Sequence, residues 1–230
     1  IEMKGICHVS QIPVRSDAKS SSEMVTQLLF GETYSVLKSE NDWHYIKLDF
    51  DGYEGWISGS SFHTLTSDIS LHTQITLESS DFNPFIAKTI VKTSMGSLIG
   101  KHTNDARYRL ADLAIQFLGC PYLWGGRHYS GIDCSGFMQV IFKCNKINLP
   151  RDASQQQKVG KPIHFSKLTE GDLIFFHIDN KVKHVGLYLG NDQIIHAHGY
   201  VRIDSLTKKG IVNSKTKKLT HHYFSAKRVS

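Results

Sequence analysis

The chain has 230 residues, of which 40% are hydrophobic and 21% are charged, a composition typical of globular proteins. At roughly 100–200 residues per domain, this length predicts two domains, a catalytic one of ordinary size and a smaller partner. No uninterrupted apolar run approaches the roughly 18 residues that a membrane span requires, so we expect a protein that is not integral to a membrane.

The charge balance is basic, because lysine and arginine outnumber aspartate and glutamate by 27 to 21. Much of the excess follows Lys208, without aromatic interleaving or a nucleic-acid motif. A solvated basic face is therefore favoured over a nucleic-acid partner. The chain begins at Ile1 without a basic and then apolar leader, so we expect any signal peptide to be absent from this sequence.

Residues 5–65 are predicted to form a run of short strands. The stretches QLLF, YSVLKS, WHYIKL and GWI are apolar or alternating, and the segments GE, ENDW and DFDGYEG carry turn residues. Several short strands at close spacing predict a small β-barrel. We expect Trp43 and Trp56 to fill its core, because small barrels need large apolar side chains.

The rest of the chain changes period twice. Residues 66–102 alternate weakly, and we expect a linking segment with one or two strands. Helical spacing follows, from a start near Thr103 and again from a start near Cys134. Short strands such as DLIFFHI, KHVGLYLG and QIIHAHGY come last. Helices followed by an antiparallel sheet predict an α+β domain.

The four cysteines are too few for a disulfide scaffold in a chain of this length. Cys134 lies in the first turn of the second predicted helix, where unpaired N–H groups are expected to lower the pKa of a thiol. Cys144 falls on the apolar face of that helix, and Cys7 and Cys120 lie in loop or edge contexts. We expect these three to be structural, which leaves Cys134 as the candidate nucleophile.

A cysteine nucleophile needs a base, and KHVGLYLGNDQIIHAHG offers histidines on a predicted hairpin. A three-residue loop at 190–192 gives the pairs Leu189–Gln193, Gly186–His196 and His184–His198. Because side chains alternate along a strand, His184, His196 and His198 then project from one face. This places a base beside a group that orients it, without choosing between His196 and His198.

A zinc site built from Cys134 and these histidines is the competing interpretation. It is disfavoured, because the cysteine is isolated and metal-ligand spacing such as HExxH is absent. A single histidine in an apolar strand is more often a packed core residue than a catalyst. Three on one face favour a functional site.

Blocks of the second half resemble a known family. PYLWGGRHYSGIDCSGF, LPRDASQQ, LTEGDLIFF and HVGLYLGNDQIIHA, in that order, look like the NlpC-type cell-wall peptidases, papain-like cysteine enzymes that cut peptidoglycan peptides. The resemblance covers about residues 105–230. The N-terminal segment, with its Val-Arg opening, Gly-Glu turn and Gly-Tyr-x-Gly-Trp ending, resembles a bacterial SH3-like domain. The layout is similar to γ-D-glutamyl-L-diamino-acid endopeptidases.

The resemblance implies a fold and a division into domains. An SH3-like β-barrel at 1–66 and a linking segment at 67–102 would precede an α+β, papain-like catalytic domain at 103–230, with helices packed on an antiparallel sheet. In such a layout the barrel either binds wall polymer or packs over one end of the groove and restricts the enzyme to short peptides.

Carried over position by position, the resemblance also implies a catalytic set. Cys134 matches the nucleophile, His184 matches the base, and His196 matches the polar third member of the triad. Tyr122 matches a tyrosine near the nucleophile that helps to hold the substrate or the oxyanion. Backbone N–H groups at the helix start are natural oxyanion donors.

Three further residues are candidates for substrate binding. Asp133 and Ser135 flank the nucleophile. Asp152 matches an acid that pairs with the free amine of an N-terminal L-alanine in the endopeptidases, although Ala153 departs from the serine often found beside it. Asp152 is also a suitable N-cap for a helix beginning at Ala153, and the two roles are compatible.

The expected function is hydrolysis of the γ-D-Glu to diamino-acid bond of peptidoglycan stem peptides, with no cofactor and no metal. The alternatives are a wall-binding protein whose peptidase domain does not turn over, and a papain-like amidase or acyl transferase acting on another amide. Peptidoglycan peptides or muropeptides are the expected partners. Wall substrates favour the bacterial envelope over cytoplasmic recycling, and the diamino acid and oligomeric state are left open.

Overall fold

The computed structural model describes residues 3–65, 72–77, 87–92 and 108–229. These residues form two compact units. The first contains residues 3–65, 72–77, 87–92 and 124–129, and the second contains residues 108–123 and 130–229. Among the described residues, no helix is long and apolar enough to cross a membrane.

The first unit is built on an antiparallel, barrel-like sheet. In the described part of the chain its strands are β1 (Met3–Ile6), β2 (Gln11–Arg15), β3 (Met24–Leu29), β4 (Thr33–Glu40), β5 (Trp43–Leu48) and β6 (Glu54–Ser58). They lie in the order β1-β4-β5-β6-β2-β3, and a short 3-10 helix, Gly59–Ser61, follows the last strand. The predicted run of short strands is therefore present.

Alternate side chains of these strands fill one core. Along β2, Ile12 and Val14 are buried while their neighbours are not, as the period of two requires. The core consists of Cys7, Ile12, Val14, Leu28, Tyr34, Ile46, Leu48 and Ile57. Trp56 is buried and Trp43 is only half-buried, so the prediction that both tryptophans fill the core is right for Trp56 and right in part for Trp43.

Residues 124–129 belong to this unit although they are distant from its sheet in the sequence. Arg127, in the short strand β9 (Arg127–His128), is fully buried and pairs bidentately with buried Glu32 at 2.8 and 2.9 Å. The Arg127 N–H also donates to Gln27 Oε1 at 2.7 Å. Removing one partner of such a pair costs about 3–5 kcal/mol, because it leaves an uncompensated buried charge. The pair therefore fixes this segment in the first unit.

Two strands fall within the predicted linking segment. β7 (His72–Leu77) and β8 (Ala87–Lys92) pair antiparallel, with His72 opposite Lys92 and Leu77 opposite Ala87. The rest of residues 67–102 and the helix start predicted near Thr103 lie outside the described residues. The first described helix is α1 (Leu110–Ile115).

The second unit has the predicted order of elements, helices before most of the sheet. Its described helices are α1, α2 (Cys134–Lys143) and α3 (Ala153–Gln156), with a 3-10 helix at Phe165–Lys167. Its strands are β10 (Gly131–Ile132), β11 (Lys161–Pro162), β12 (Leu173–Ile178), β13 (Lys181–Gly190), β14 (Gln193–His198), β15 (Tyr200–Thr207), β16 (Gly210–Val212) and β17 (Leu219–Arg228).

Strands β11 to β17 form one antiparallel sheet in the order β11-β17-β12-β13-β14-β15-β16. Strand β17 also pairs with β16, so the sheet closes on itself. Helix α2 packs against β13 and β14 and buries Phe137, Val140 and Ile141 at helical spacing. This packing brings the start of α2 to the strands that carry the predicted histidines.

The hairpin between β13 and β14 has the predicted register but a different turn. Leu187 lies opposite Ile195, which is the register that the predicted Gly186–His196 pair requires, whereas the pairing of Leu189 with Gln193 was wrong, because Gln193 pairs with Gly190. The loop is the two residues Asn191 and Asp192, with φ of 50° and 55°, the left-handed pair of a type I′ turn. The pairing between the two strands shifts by one residue between Tyr188 and Gly190. Because of this shift, the two-residue loop gives Tyr188 and the residues before it the partners that a three-residue loop would give them.

Gly186 has a clear role in this hairpin. A Cβ added at Gly186 would lie 3.0 Å from the Cβ of His196, so the two residues face each other as predicted. Any larger residue would collide with the Ile194 side chain, whose Cδ1 would be 2.8 Å away, and with the Cβ of His196. The glycine therefore leaves room for a buried histidine on the neighbouring strand.

Candidate active site

Cys134 is the first residue of α2, and its N-cap Asp133 orders the helix start. The Asp133 carboxylate accepts from the Gly136 N–H at 2.7 Å, which satisfies one of the unpaired donors of the first turn. The Cys134 side chain is buried, and its sulfur is hydrogen-bonded to the backbone of Val185, the residue that follows His184. The candidate nucleophile therefore lies beside the strand of the candidate base.

Arg151 stabilises the start of this helix through hydrogen bonds to Asp133 and Ser135. Its guanidinium donates to both carboxylate oxygens of Asp133, at 3.0 Å to Oδ1, and to Ser135 Oγ at 2.9 Å. All three side chains are buried. The side chains of Asp133 and Ser135 are thus engaged by Arg151, and the substrate-binding role of these two residues stays a prediction that would involve their backbone atoms.

The electrostatic surroundings of Cys134 differ from the expectation. Burial raises the pKa of the Cys134 thiol to about 12, and the adjacent Asp133 carboxylate adds to the rise. These effects exceed the opposing influence of Arg151 and of the hydrogen bonds from Val185 and Ser135. The prediction that the helix start lowers this pKa was wrong, because desolvation outweighs the helix potential. The resting cysteine is a neutral thiol.

His184 is held by hydrogen bonds that end at a buried carboxylate. His184 Nε2 lies 2.8 Å from His196 Nδ1, and His196 Nε2 lies 3.1 Å from Asp204 Oδ2. The carboxylate of Asp204 also accepts from Arg202 Nε and from the Ser214 N–H, each at 2.8 Å. The order His184, His196, Asp204 is therefore a continuous hydrogen-bonded chain.

The carboxylate fixes the tautomer of each ring. An ionised carboxylate only accepts hydrogen bonds, so His196 donates through Nε2–H and its Nδ1 carries the lone pair. His184 must then donate through its own Nε2–H. The lone pair of His184 is consequently at Nδ1, where it can take a proton from a thiol.

The pKa values of Asp204, His196 and His184 agree with these tautomers. Burial alone would raise the pKa of the Asp204 carboxyl, but hydrogen bonds from His196, Ser214 and Arg202 hold it well below its usual range. Burial lowers the pKa of His196, although Asp204 opposes the shift. Burial and the neighbouring histidines lower the pKa of His184 well below its ordinary value. Both rings are therefore neutral near pH 7.

The hydrogen bonds also distinguish His196 from His198. His198 is exposed, and its ring centroid lies 6.3 Å from that of His184, without a hydrogen bond between them among the described contacts. His196 is fully buried and bonded directly to His184. The geometry favours His196 as the orienting residue.

Tyr122 lies near the thiol, whereas Asp152 caps a helix. Burial, with the charge of the Asp133 carboxylate, raises the pKa of Tyr122, so its hydroxyl keeps its proton and can donate. Asp152 is the N-cap of α3, and its backbone N–H donates to Gln155 Oε1 at 3.2 Å. The structural alternative considered for Asp152 is thus present, and it leaves the proposed amine contact compatible with the fold.

Sequence reasoning missed two residues of the site, Asp204 and His221. The register of β14 and β15 pairs His196 with Arg202, which sets Asp204 on the same face as His196. The turn residue Gly199 in HAHGYVRID would have allowed this register to be predicted. His221 stacks on His184 with ring centroids 4.2 Å apart. It comes from β17, which reaches the site only through long-range closure of the sheet, and no local pattern signals it.

Comparison with protein-family models matches residues 119–225 to the NlpC/P60 family and residues 14–62 to the bacterial dipeptidyl-peptidase Sh3 domain. A gamma-D-glutamyl-L-lysine dipeptidyl-peptidase of Bacillus subtilis is 32% identical over 214 residues, which cover 75% of this chain and 71% of the relative. A murein DD-endopeptidase MepS/murein LD-carboxypeptidase of Escherichia coli is 40% identical over 94 residues, 40% of this chain and 50% of the relative.

A solved structure has a similar fold over nearly the whole chain. The crystal structure of a NlpC/P60 family protein from Bacillus cereus aligns with a TM-score of 0.74 and 21% identity, covering 98% of this chain and 99% of that one. The blocks and the SH3-like segment singled out in the sequence are therefore matched by independent comparisons of sequence and of fold.

Replacing Asp204 with asparagine is expected to lower kcat. The amide can donate to His196 Nε2, which reverses both tautomers and moves the His184 lone pair to Nε2. We expect a loss of about 10–100-fold in kcat with KM little changed, the usual effect of removing such an outer partner. Stopped assays on a γ-D-glutamyl peptide would measure it, with Asp192→Asn, in the exposed turn, as the matched control. Equal kcat for both variants would contradict the assignment.

The raised pKa of Cys134 predicts a steep pH dependence of alkylation. The thiolate fraction should increase about tenfold per pH unit below the pKa, so the iodoacetamide rate at Cys134 should rise continuously from pH 7 to 10. Peptide mass spectrometry separates Cys134 from the other three cysteines. A rate that is constant across this range would indicate a preformed thiolate–imidazolium pair and would contradict the neutral resting site.

Proposed function

Because this chain belongs to the NlpC/P60 family, we propose that it is a cysteine peptidase that hydrolyses the γ-D-Glu to diamino-acid bond of peptidoglycan stem peptides. The observation that carries the proposal is the set of hydrogen bonds from Asp204 through His196 to His184, on the strand whose Val185 backbone is hydrogen-bonded to the buried thiol of Cys134. The names of the Bacillus relatives, which are gamma-D-glutamyl-L-lysine dipeptidyl-peptidases, support the choice of bond.

The first half of the reaction forms an acyl-enzyme. The Cys134 S–H transfers its proton to His184 Nδ1 while the sulfur attacks the γ-carbonyl carbon, so the thiolate exists only as the C–S bond forms. Backbone N–H groups at the start of α2 and the protonated Tyr122 hydroxyl stabilise the developing oxyanion. The C–N bond then breaks, and His184 donates the proton to the leaving amine.

The second half regenerates the enzyme. His184, again neutral, takes a proton from water as its oxygen attacks the thioester carbon. The C–S bond breaks, and the proton returns from His184 to the sulfur. Through both halves His196 and Asp204 hold the His184 ring in one tautomer and balance its transient positive charge. Because the pair is neutral at rest, the reaction does not depend on a thiolate that would have to survive in a desolvated site.

The proposed substrate class rests on the match of Asp152 to the amine-binding acid of the resembling endopeptidases. We propose short stem peptides with a free N-terminal L-alanine, whose ammonium group pairs with Asp152. The γ-D-glutamyl linkage, and not an ordinary α-peptide bond, places the scissile carbonyl on a side-chain carbon. Lysine and meso-diaminopimelate both supply an L-configured amine as the leaving group, so both are candidate diamino acids.

We propose the corresponding domain layout and location. A papain-like catalytic domain at 103–230, with α2 packed on the sheet, follows an SH3-like domain at 1–66 and a linking segment at 67–102. The contact of α2 with β13 and β14 supports the papain-like assignment. The murein enzymes among the relatives support a location in the bacterial envelope, where wall peptides are found.

The proposal predicts cleavage of L-Ala-γ-D-Glu-meso-diaminopimelate and of its L-lysine counterpart to L-Ala-D-Glu. Mass spectrometry of each tripeptide, with and without N-acetylation, would identify the bond. Cys134→Ala should be inert, and Cys144→Ala, at the other end of the same helix, should keep its activity. Turnover of neither peptide, with faster turnover of another amide or binding to wall material alone, would contradict the proposal.

Asp152→Asn separates amine recognition from helix capping. Asparagine caps helices as well as aspartate does, so the melting temperature should change little. Loss of the carboxylate charge should reduce kcat/KM on the free tripeptide about 30-fold and leave residual turnover of the acetylated peptide unchanged. An equal loss on both peptides, or no loss, would show that Asp152 has only its capping role.

A further inference from the structure

We propose that His184, His196 and His221 form a binding site for a borderline-soft divalent metal ion such as Zn²⁺, and that the bound ion switches the peptidase off. The binding itself is independent of the proposed function, whereas the inhibitory consequence rests on it. The sequence disfavoured a zinc site that includes the isolated Cys134, whereas this site uses His221, a histidine that the sequence did not reveal.

The three histidines bring ring nitrogens close together. One ring nitrogen from each histidine lies within 4.8 Å of the other two. Zinc binds imidazole nitrogens at about 2.0–2.1 Å, so a tetrahedral ion needs ligand nitrogens roughly 3.3 Å apart. His184 Nε2 and His196 Nδ1 are 2.8 Å apart. An ion would enter only after the rings rotate, His221 above all, because it stacks on His184 at 25° and its in-plane lone pair must turn toward the shared position.

His196 already has the outer partner that metal-bound histidines usually have. A ligating histidine commonly donates its other ring N–H to a carboxylate, which fixes the tautomer and strengthens the ligand. His196 Nε2 has this bond to Asp204, so its Nδ1 lone pair is directed away from the carboxylate toward His184.

His221 has a comparable outer partner, the hydroxyl group of Thr220. The Thr220 hydroxyl donates to the Ile211 carbonyl oxygen at 3.3 Å, so its oxygen accepts from His221 Nδ1–H at 2.9 Å. The lone pair of His221 is therefore at Nε2. Two of the three histidines thus have fixed tautomers in which one nitrogen carries a lone pair suited to a metal.

The ligand set selects the class of metal. Three neutral imidazoles suit zinc, copper and nickel rather than magnesium or calcium, which prefer oxygen ligands. The surrounding charges are the Asp204 carboxylate and the Arg202 guanidinium, which are hydrogen-bonded to each other and largely cancel. His221 is only partly buried, which leaves an approach for an ion and for a water as the fourth ligand.

Metal binding would oppose catalysis through the tautomer of His184. The ion takes the lone pair at Nε2, so the ring proton must be on Nδ1, the atom that accepts the thiol proton in the catalytic tautomer. The hydrogen bond from His184 to His196 is replaced by two bonds to the ion. Cys134 then has no base, and removal of the ion by a chelator restores it.

The test measures binding apart from activity. The 230-residue chain with Cys134→Ala is titrated with ZnCl₂ by calorimetry and with CoCl₂ by visible absorption, so that the thiol of Cys134 does not contribute. We expect one ion per chain and a tetrahedral cobalt spectrum. His221→Gln should weaken binding roughly 30-fold or more, since it removes a direct ligand where outer partners alone are worth about 10–100-fold.

Two further variants test whether the loss of metal binding is specific to His221. One is a control at a neighbouring histidine, and the other removes the hydrogen-bond partner of His221. His222→Gln changes the next residue of β17, which is exposed and contacts His177, and should bind like the parent. Thr220→Val removes the hydroxyl at an exposed strand position and should weaken binding about tenfold without affecting folding. Absence of binding in the parent, equal affinity of His221→Gln or Thr220→Val and the parent, or an equal loss in His222→Gln would overturn the proposal.

The inhibitory step is tested in the chain with Cys134 intact. Zinc should stop peptide hydrolysis and chelation should restore it, and His221→Gln should require roughly 30-fold more zinc for the same inhibition. Zinc binding without hydrolysis of any peptide would refute the proposed function alone. Inhibition that is equally sensitive in His221→Gln would refute the metal site as the cause.

Discussion

The hydrogen bond between His196 and the buried carboxylate of Asp204 determines the direction of the hydrogen bond between His196 and His184. Because Asp204 can only accept, the proton positions of His196 and then of His184 follow from it without further assumptions. Hydrogen bonds from His196, the Ser214 N–H and Arg202 keep the carboxylate ionised in spite of its burial. The reactivity of Cys134 therefore depends on a residue that is two hydrogen bonds away from the base.

The same constraint explains why a neutral thiol is compatible with catalysis. Burial disfavours both the thiolate and the imidazolium, so the two groups are neutral until a substrate carbonyl is present. A base with its lone pair in a fixed position is then more useful than a thiolate formed in advance, because proton transfer and attack take place together. Arg151 supports this arrangement by holding Asp133 and the start of α2 in place.

Much of this arrangement could be predicted from the sequence, because it depends on local patterns. The first turn of α2, the alternation of His184 and His196 along a hairpin, and the strands of the first unit all follow from spacing within a few residues. The turn length was missed because a one-residue slip before Gly190 gives the same register as a longer loop. The pKa of Cys134 was missed because burial is a property of the folded chain.

What the sequence could not reveal comes from distant strands. His221 reaches His184 only because β17 closes the sheet, and Arg127 pairs with Glu32 across most of the N-terminal half. Such pairs have no periodic signal, since their spacing depends on the whole topology. The Arg127–Glu32 pair also specifies the fold energetically, because a buried charge without its partner is costly.

The most direct test of the central claim is the protonation state of the two imidazole rings in solution. Long-range proton–nitrogen correlation spectra of the full chain near neutral pH, assigned with His184→Gln and His196→Gln, distinguish protonated from lone-pair nitrogens. The account predicts a protonated Nε2 and a lone-pair Nδ1 in both His184 and His196. A lone pair at Nε2 of His184, or protons on both of its nitrogens, would contradict it.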